Sequence, residues 1–355
     1  MKICIICTRF DPEKLGGVER VILELSKQYI KKGNKVTIIC KKEFDEALNE
    51  VYCGISIKRV NCLKVPLLKT LSASKDLIKL IKNENADVYN PHDWSSGSMF
   101  LFGKLKKYPY ILTSHGFIGD YINPPFFAKV IEELVFRLTK APIKCVQKFS
   151  ENTNYLKKYK MEYVPNGVNS EIFVPLKKDN IGEYVLFVGS LDERKNIKRV
   201  CKSFSRNKLK IKIVGSGLLE KELKYNYKNF HNIEFLGRKD GKPLIKLFQE
   251  CKFFLLPSTA EGFGLVWIEA QSCGKPIIDT KVGVGSELIN DKDFGRLIEN
   301  PLNQKELDIA ILSLDKQINE EGIQSNKIRK SILSKYSWDI ISDKYLNNFN
   351  FLLSK

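Results

Sequence analysis

Residues 2–40 read KICIICTRFDPEKLGGVERVILELSKQYIKKGNKVTIIC. Two short apolar runs, KICIIC and KVTIIC, bracket a segment of helical period, and that order of strand, helix, strand decides the fold. Runs this short and continuous suit strands buried on both faces, as in a parallel sheet covered by helices. Between them Val18, Val21, Ile22, Leu25 and Tyr29 recur at the spacing of one helix face, so that face belongs to a core. The pattern continues through DVYN (87–90), PYILTSHG (109–116) and KCVQ (144–147).

Around 166–183 the chain changes to NGVNSEIFVPLKKDNIGE, polar and broken by Gly and Pro, which suits a hinge. The alternation then restarts with YVLFVGSL, KIKIVGSG, NIEFLG, FFLLPS and PIIDT. The expected class is α/β, with two Rossmann-like doubly wound domains in series facing a cleft. At 355 residues and 43% hydrophobic content, two cores are affordable.

Composition narrows the function. No run of 18 or more uncharged apolar residues is present, and MKICIICTRFDPE lacks a signal-peptide cleavage site, so a soluble, intracellular protein is expected. Nine scattered cysteines suggest a reducing compartment. Cys4 and Cys7 have CxxC spacing, but in an extended strand they face opposite ways and cannot share a metal. A net charge of +18 points to an acidic partner: nucleic acid, an anionic membrane or a phosphorylated small molecule.

The stretch EGFGLVWIE, 261–269, carries the chemistry. Glu261 falls in the loop after strand FFLLPS, and Glu269 lies inside the helix that follows. The free N–H groups of Gly264, Leu265 and Val266 at the helix start would receive a phosphate, and the glycine lets it come close to the backbone. Glu269 would then accept hydrogen bonds from a ribose diol, with Glu261 at the far end of the diphosphate. Eight positions put the two carboxylates roughly 12 Å apart if the segment were helical throughout. Retaining glycosidases need about 5 to 5.5 Å, so these glutamates are read as binders.

EGFGLVWIEA followed by CGKPIIDTKVGVGSELI closely resembles the donor-binding signature of glycosyltransferase family 4, the retaining GT-B enzymes. GGVERVILELSKQYIKKGNKVTII, TSHGF, YVPNGVNSEIF, FVGSLDERKN, IVGSG and YSWDIISDKYLNNF agree in order, leaving roughly 41–85 uncovered. The resemblance implies an acceptor-binding domain over 1–166, a donor-binding domain over 167–336, and a helix in 337–355 returning to the first. It implies transfer of a hexose from a UDP- or GDP-sugar to a glycan or lipid-linked acceptor, in polysaccharide or glycolipid synthesis. Attack would come from the front face, with the departing phosphate oxygen taking the acceptor proton.

Residue roles follow from the same resemblance. Arg194 and Lys195 match the pair that stabilises the leaving diphosphate, a role their fixed charges suit. Gly16 and Gly17 match the backbone that closes over phosphate and sugar. His115, at the end of PYILTSHG, matches the histidine that contacts the transferred sugar. His92 is a weaker candidate for the acceptor side, and His231 reads as surface. The family often has Arg where Ser190 stands, His where Asn34 stands and Gly where Val284 stands.

No metal and no cofactor beyond the nucleotide sugar are expected, because Asp291, Lys292 and Asp293 match the letters of a metal-binding DxD pair but read as a turn. A nicotinamide-dependent oxidoreductase is disfavoured by Glu220, which stands where IVGSGLLE would need a third glycine. A nucleic-acid-binding protein has only charge in its favour. Finally, Leu63, Val65, Leu67, Leu68 and Leu71 are interleaved with Lys64, Lys69 and Lys75 around a proline that disfavours a continuous helix. This segment suggests peripheral docking on the cytoplasmic face of an anionic membrane.

Overall fold

The computed structural model describes residues 1–42, 46–61, 66–101, 103–118, 126–147, 154–176 and 182–354. They divide into two compact units, Met1–Asn166 with Trp338–Lys355, and Gly167–Ser337.

In the first unit β1 (Lys2–Ile6), β2 (Lys35–Lys41), β3 (Asn49–Tyr52), β4 (Ile55–Val60) and β5 (Val88–Pro91) form a sheet in the order β3-β4-β2-β1-β5. All neighbours are parallel except the β3–β4 pair. A parallel sheet of β6 (Leu112–Ser114), β7 (Ile143–Cys145) and β8 (Glu162–Tyr163) adjoins β5 through bridges Tyr89↔Tyr110 and His92↔Thr113. Ile3, Cys4, Ile5 and Ile6 are fully buried, as strands covered on both faces must be. Burial pushes the Cys4 thiol well above its usual range, as for a packed apolar residue.

The chain steps from β1 to β2 to β4 on one side, then crosses to β5 on the other. A doubly wound sheet binds ligands at such a reversal, outside the carboxyl ends of its strands. Here those ends carry Cys7 to Gly16 after β1 and His92 after β5.

Helix α1 (Gly17–Lys31) buries Val21, Ile22, Leu25 and Tyr29, with Val18 half-buried. Leu23, Glu24 and Ser26 are buried as well, beyond the single face that the periodicity marks. The helix Trp338–Leu353 packs on α1, with the Tyr29 and Phe349 rings 5.9 Å apart. Lys32 Nζ lies 3.0 Å from Asp339 Oδ1 at its end.

Two features depart from expectation in the stretch that no motif covers. β3 and β4 make a hairpin, because Cys53 and Gly54 both adopt positive φ, +51° and +78°, in a two-residue primed turn. Helix α2 (Pro66–Glu84) is continuous. Pro66 opens it, at the position where a missing N–H costs nothing. Leu63, Lys64 and Val65 of the leucine–lysine segment lie outside the described residues.

Helices α3 (Asp93–Gly97) and α4 (Phe126–Leu138) complete the elements near the strand ends. α4 buries Glu132, Val135 and Phe136, while Phe126, Phe127, Val130, Ile131, Leu134 and Leu138 are exposed. Among the described residues no helix is long and apolar enough to cross a membrane.

The second unit holds β9 (Tyr184–Val188), β10 (Lys210–Val214), β11 (Ile233–Gly237), β12 (Phe254–Leu255), β13 (Ile277–Thr280) and β14 (Gly295–Ile298). They are all parallel, in the order β11-β10-β9-β12-β13-β14, so the reversal falls between β9 and β12. The loops after those two strands carry Arg194, Lys195 and Glu261.

Candidate active site

After β9 the chain makes a short helical turn, Glu193–Lys195, capped by Asp192, whose Oδ1 accepts the Lys195 N–H at 3.1 Å. Ser190 Oγ donates to Asp192 Oδ2 at 2.6 Å, which holds the capping carboxylate in place. Where the family often has a third cation, this chain therefore has a residue that supports the loop. The loop after β12 is tied to the same turn, since Thr259 N–H donates to the Arg194 carbonyl at 2.9 Å.

This brings together residues 66 positions apart: Lys195 Nζ pairs with Glu261 Oε1. Ser258 Oγ donates to the same oxygen at 3.1 Å. The Lys195 side chain is 11% exposed and that of Glu261 12%, so the pair is largely out of water, whereas Arg194 is 39% exposed. Burial, with the charge of Arg194 second, pulls the Lys195 pKa down to about 7, against the raising effect of Asp192 and Asp279. A largely desolvated cation held next to a second cation is arranged for an anion.

The helix Leu265–Ser272 begins at Gly264, whose φ is +94°. A Cβ there would sit 1.9 Å from the Trp267 ring, so glycine is required both by the backbone and by the space. The first-turn N–H groups of such a helix have no acceptor within it. Trp267 is fully buried and anchors the helix start against the core. Glu269, four positions after Leu265, is 4% exposed, so it is not a solvated helix residue.

In the first unit Gly16 caps α1 in extended geometry and Gly17 is exposed. Glu19 is buried three residues after the cap, and Arg9 Nε donates to its Oε1 at 2.6 Å. A Cβ on Gly16 would fall 2.5 Å from Glu19 Oε2.

At the ends of β5 and β6, the rings of His92 and His115 meet edge to edge, 24° from coplanar, with centroids 4.9 Å apart. His92 Nδ1 lies 2.6 Å from His115 Nε2, and His92 Nε2 lies 3.1 Å from Asn90 Oδ1. His92, expected on the acceptor side, is fully buried and faces these two partners. His115 is half-buried, and its backbone N–H donates to Asp93 Oδ1 at 3.3 Å. Burial, with His115 second, drives the His92 pKa well below its usual value. Burial also lowers that of His115, against the carboxylates of Asp93 and Glu19. Both shifts favour the neutral rings.

His231 is exposed, and Asp291 caps the turn Lys292–Phe294, accepting the Asp293 N–H at 3.0 Å. Both aspartates pair with Lys327, at 2.6 and 2.7 Å. Sequence reasoning missed Arg9, Glu19, Asn90, Asp93, Asp192 and Ser258. The Gly-x-x-Glu spacing of Gly16 and Glu19 at a helix start was the signal available for one of them.

Comparison with known proteins shows the family and the fold. A family model described as Glycosyl transferases group 1 matches residues 168–330, and one described as Glycosyltransferase Family 4 matches 15–172. An uncharacterized glycosyltransferase of Methanocaldococcus jannaschii is 30% identical over 320 residues, 84% of this chain and 86% of the relative. A UDP-Gal:α-D-GlcNAc-diphosphoundecaprenol α-1,3-galactosyltransferase of Escherichia coli is 26% identical over 370 residues, 94% of each chain. The solved sucrose-phosphate synthase of Thermosynechococcus elongatus superposes with a TM-score of 0.85 at 17% identity, covering 99% of both chains.

Proposed function

This chain belongs to the family 4 glycosyltransferases, enzymes of the GT-B fold, and on that premise we propose that it moves a hexose from a nucleoside diphosphate sugar to a glycan or lipid-linked acceptor with retention of configuration. The observation that carries the reading is the buried Lys195, paired with Glu261 and flanked by Arg194 at the strand reversal of the second unit. As the anomeric bond breaks, negative charge collects on the β-phosphate. Arg194, Lys195 and the N–H groups of Gly264, Leu265 and Val266 stabilise it without rearranging. Glu269 receives the ribose diol. Glu261 meets the sugar, and His115, Gly16 and Gly17 are the first unit's own candidates for contact with the donor. The phosphate oxygen takes the acceptor proton on the same face.

The E. coli relative, by its name, takes UDP-galactose and an acceptor linked to diphosphoundecaprenol, which supports a UDP-sugar donor and a lipid-linked acceptor here. The test is a screen of UDP- and GDP-sugars for slow hydrolysis and thermal stabilisation. Donor at 100 times its Kd adds about 2.7 kcal/mol of stability. Turnover survives EDTA, since cationic side chains and amides neutralise the diphosphate. No stabilisation by any nucleoside diphosphate would overturn the reading, and loss in EDTA with rescue by manganese would overturn its metal-free form.

A second reading, peripheral docking on an anionic cytoplasmic membrane, is favoured by α4. Its six exposed apolar side chains form one face, bordered by exposed Lys129 and Arg137. Its acids are occupied: Glu132 accepts the Ile118 N–H at 3.0 Å, and Glu133 pairs with Lys158. The chain co-sediments with anionic liposomes at low salt, and Phe127→Asp with Ile131→Asp abolishes this. Indifference of the wild type to such liposomes contradicts the reading.

A further inference from the structure

We infer that His92, locked by Asn90, is a positioning residue that sets the ring tautomer of His115 and leaves His115 Nδ1 as the hydrogen-bond acceptor for a sugar hydroxyl. The inference rests on the reading that His115 meets the transferred sugar, and it adds how that ring is prepared.

The assignment runs from the backbone outward. The Asn90 side chain faces the Ile111 carbonyl at 2.7 Å, and a carbonyl only accepts. The atom there is therefore the amide nitrogen, which reaches Thr113 Oγ1 at 3.0 Å as well. Asn90 Oδ1 must then be the atom that faces His92, and an amide oxygen only accepts. His92 Nε2 accordingly carries the hydrogen, and its Nδ1 in the neutral ring is a bare lone pair. That lone pair meets His115 Nε2, which must carry a hydrogen in turn. In neutral His115 the remaining nitrogen, Nδ1, is an acceptor.

Each link of this chain is held. Asn90, His92 and Thr113 are all fully buried, and Thr113 Oγ1 donates to Tyr345 Oη at 3.4 Å, on the helix Trp338–Leu353. Asp93 is in the left-handed region at φ +68°, an uncommon conformation for a residue with a Cβ, and its carboxylate accepts the His115 backbone N–H. Burial disfavours the imidazolium, in which Nδ1 would donate. A donor hydroxyl that finds an acceptor at a fixed place is oriented without cost, whereas a freely flipping ring would present the correct nitrogen only part of the time.

The test combines a spectrum with a pair of variants. In the ¹⁵N-histidine-labelled protein, long-range ¹H–¹⁵N correlation shows both His92 and His115 protonated at Nε2 and bare at Nδ1. His92→Phe removes the acceptor, and kcat for hydrolysis of UDP-galactose or GDP-mannose, whichever the wild type turns over, falls several-fold, by less than in His115→Ala, with KM for the donor little changed. His92→Gln, whose side-chain oxygen can accept from His115, recovers most of that loss. A wild-type spectrum with His115 bare at Nε2 overturns the inference, whatever the variants do. Wild-type kcat in His92→Phe, with transfer lost in His115→Ala, also overturns it while the sugar-contact role stands. Wild-type kcat in His115→Ala removes that role itself, and the inference with it.

Discussion

The strand ends of the two units solve opposite problems with opposite chemistry. In the second, a buried cation is kept next to a carboxylate and another cation, and burial with the charge of Arg194 draws the Lys195 pKa down. In the first, a buried ring and a half-buried one are kept neutral and joined by hydrogen bonds that leave no choice of tautomer. Charge held out of water recognises an anion, and an oriented neutral acceptor recognises a hydroxyl.

Substitutions can break this contrast in order of expected effect. Removing the charge costs most: Lys195→Ala and Arg194→Ala each lower kcat/KM by about 10² to 10³, with a smaller loss in donor binding, because the phosphate charge grows as the bond breaks. Steady-state kinetics with wild-type turnover in both variants would dissolve the charged half of the comparison.

Removing the neutral half comes next. His115→Ala lowers kcat roughly 10²-fold. It leaves the affinity for free nucleoside diphosphate intact, since that ligand has no sugar. Calorimetry showing weakened nucleoside diphosphate would mean that His115 serves the phosphate, and the two halves would no longer differ in kind.

Within the second unit, Glu269→Ala weakens the nucleoside diphosphate by about 1.5–3 kcal/mol, the value of a hydrogen bond to a charged group. Glu261→Ala spares the nucleotide and damages transfer. Equal losses for nucleoside diphosphate and intact donor in both variants would contradict this division of labour.

The smallest effect is in pH. With its pKa drawn to about 7, Lys195 loses its proton as pH rises through neutrality, so diphosphate affinity falls by at most about tenfold per pH unit above 7 and binding takes up a proton. The free protein responds in the opposite sense. Unfolded Lys195 holds its proton to about 10.5, so between 7 and 10.5 the unfolded state binds more protons and this group adds stability with rising pH. Calorimetry in buffers of different ionisation enthalpy measures the uptake, and none at pH 7.5 would place the Lys195 pKa elsewhere.

The alternation of strands and helices was legible because doubly covered strands leave continuous apolar runs such as KICIIC and YVLFVG. The β3–β4 hairpin was not, since a Cys53–Gly54 turn on an edge carries little hydrophobic pattern. Glycines, cations and glutamates could be named from motifs, but their contacts could not. Nothing in the spacing of Lys195 and Glu261 says that they touch, or that Asn90 dictates a proton on a ring 25 residues later. Those facts depend on which loops a parallel sheet brings to its reversal.

The packing of the helix Trp338–Leu353 on α1 has a consequence for biogenesis. The second unit is contiguous and can close its core during synthesis as soon as Gly167–Ser337 has emerged, as domains generally do. The first unit, begun earlier, must wait with Tyr29 uncovered until Phe349 is made. Translation therefore completes the units in the reverse of their order along the chain.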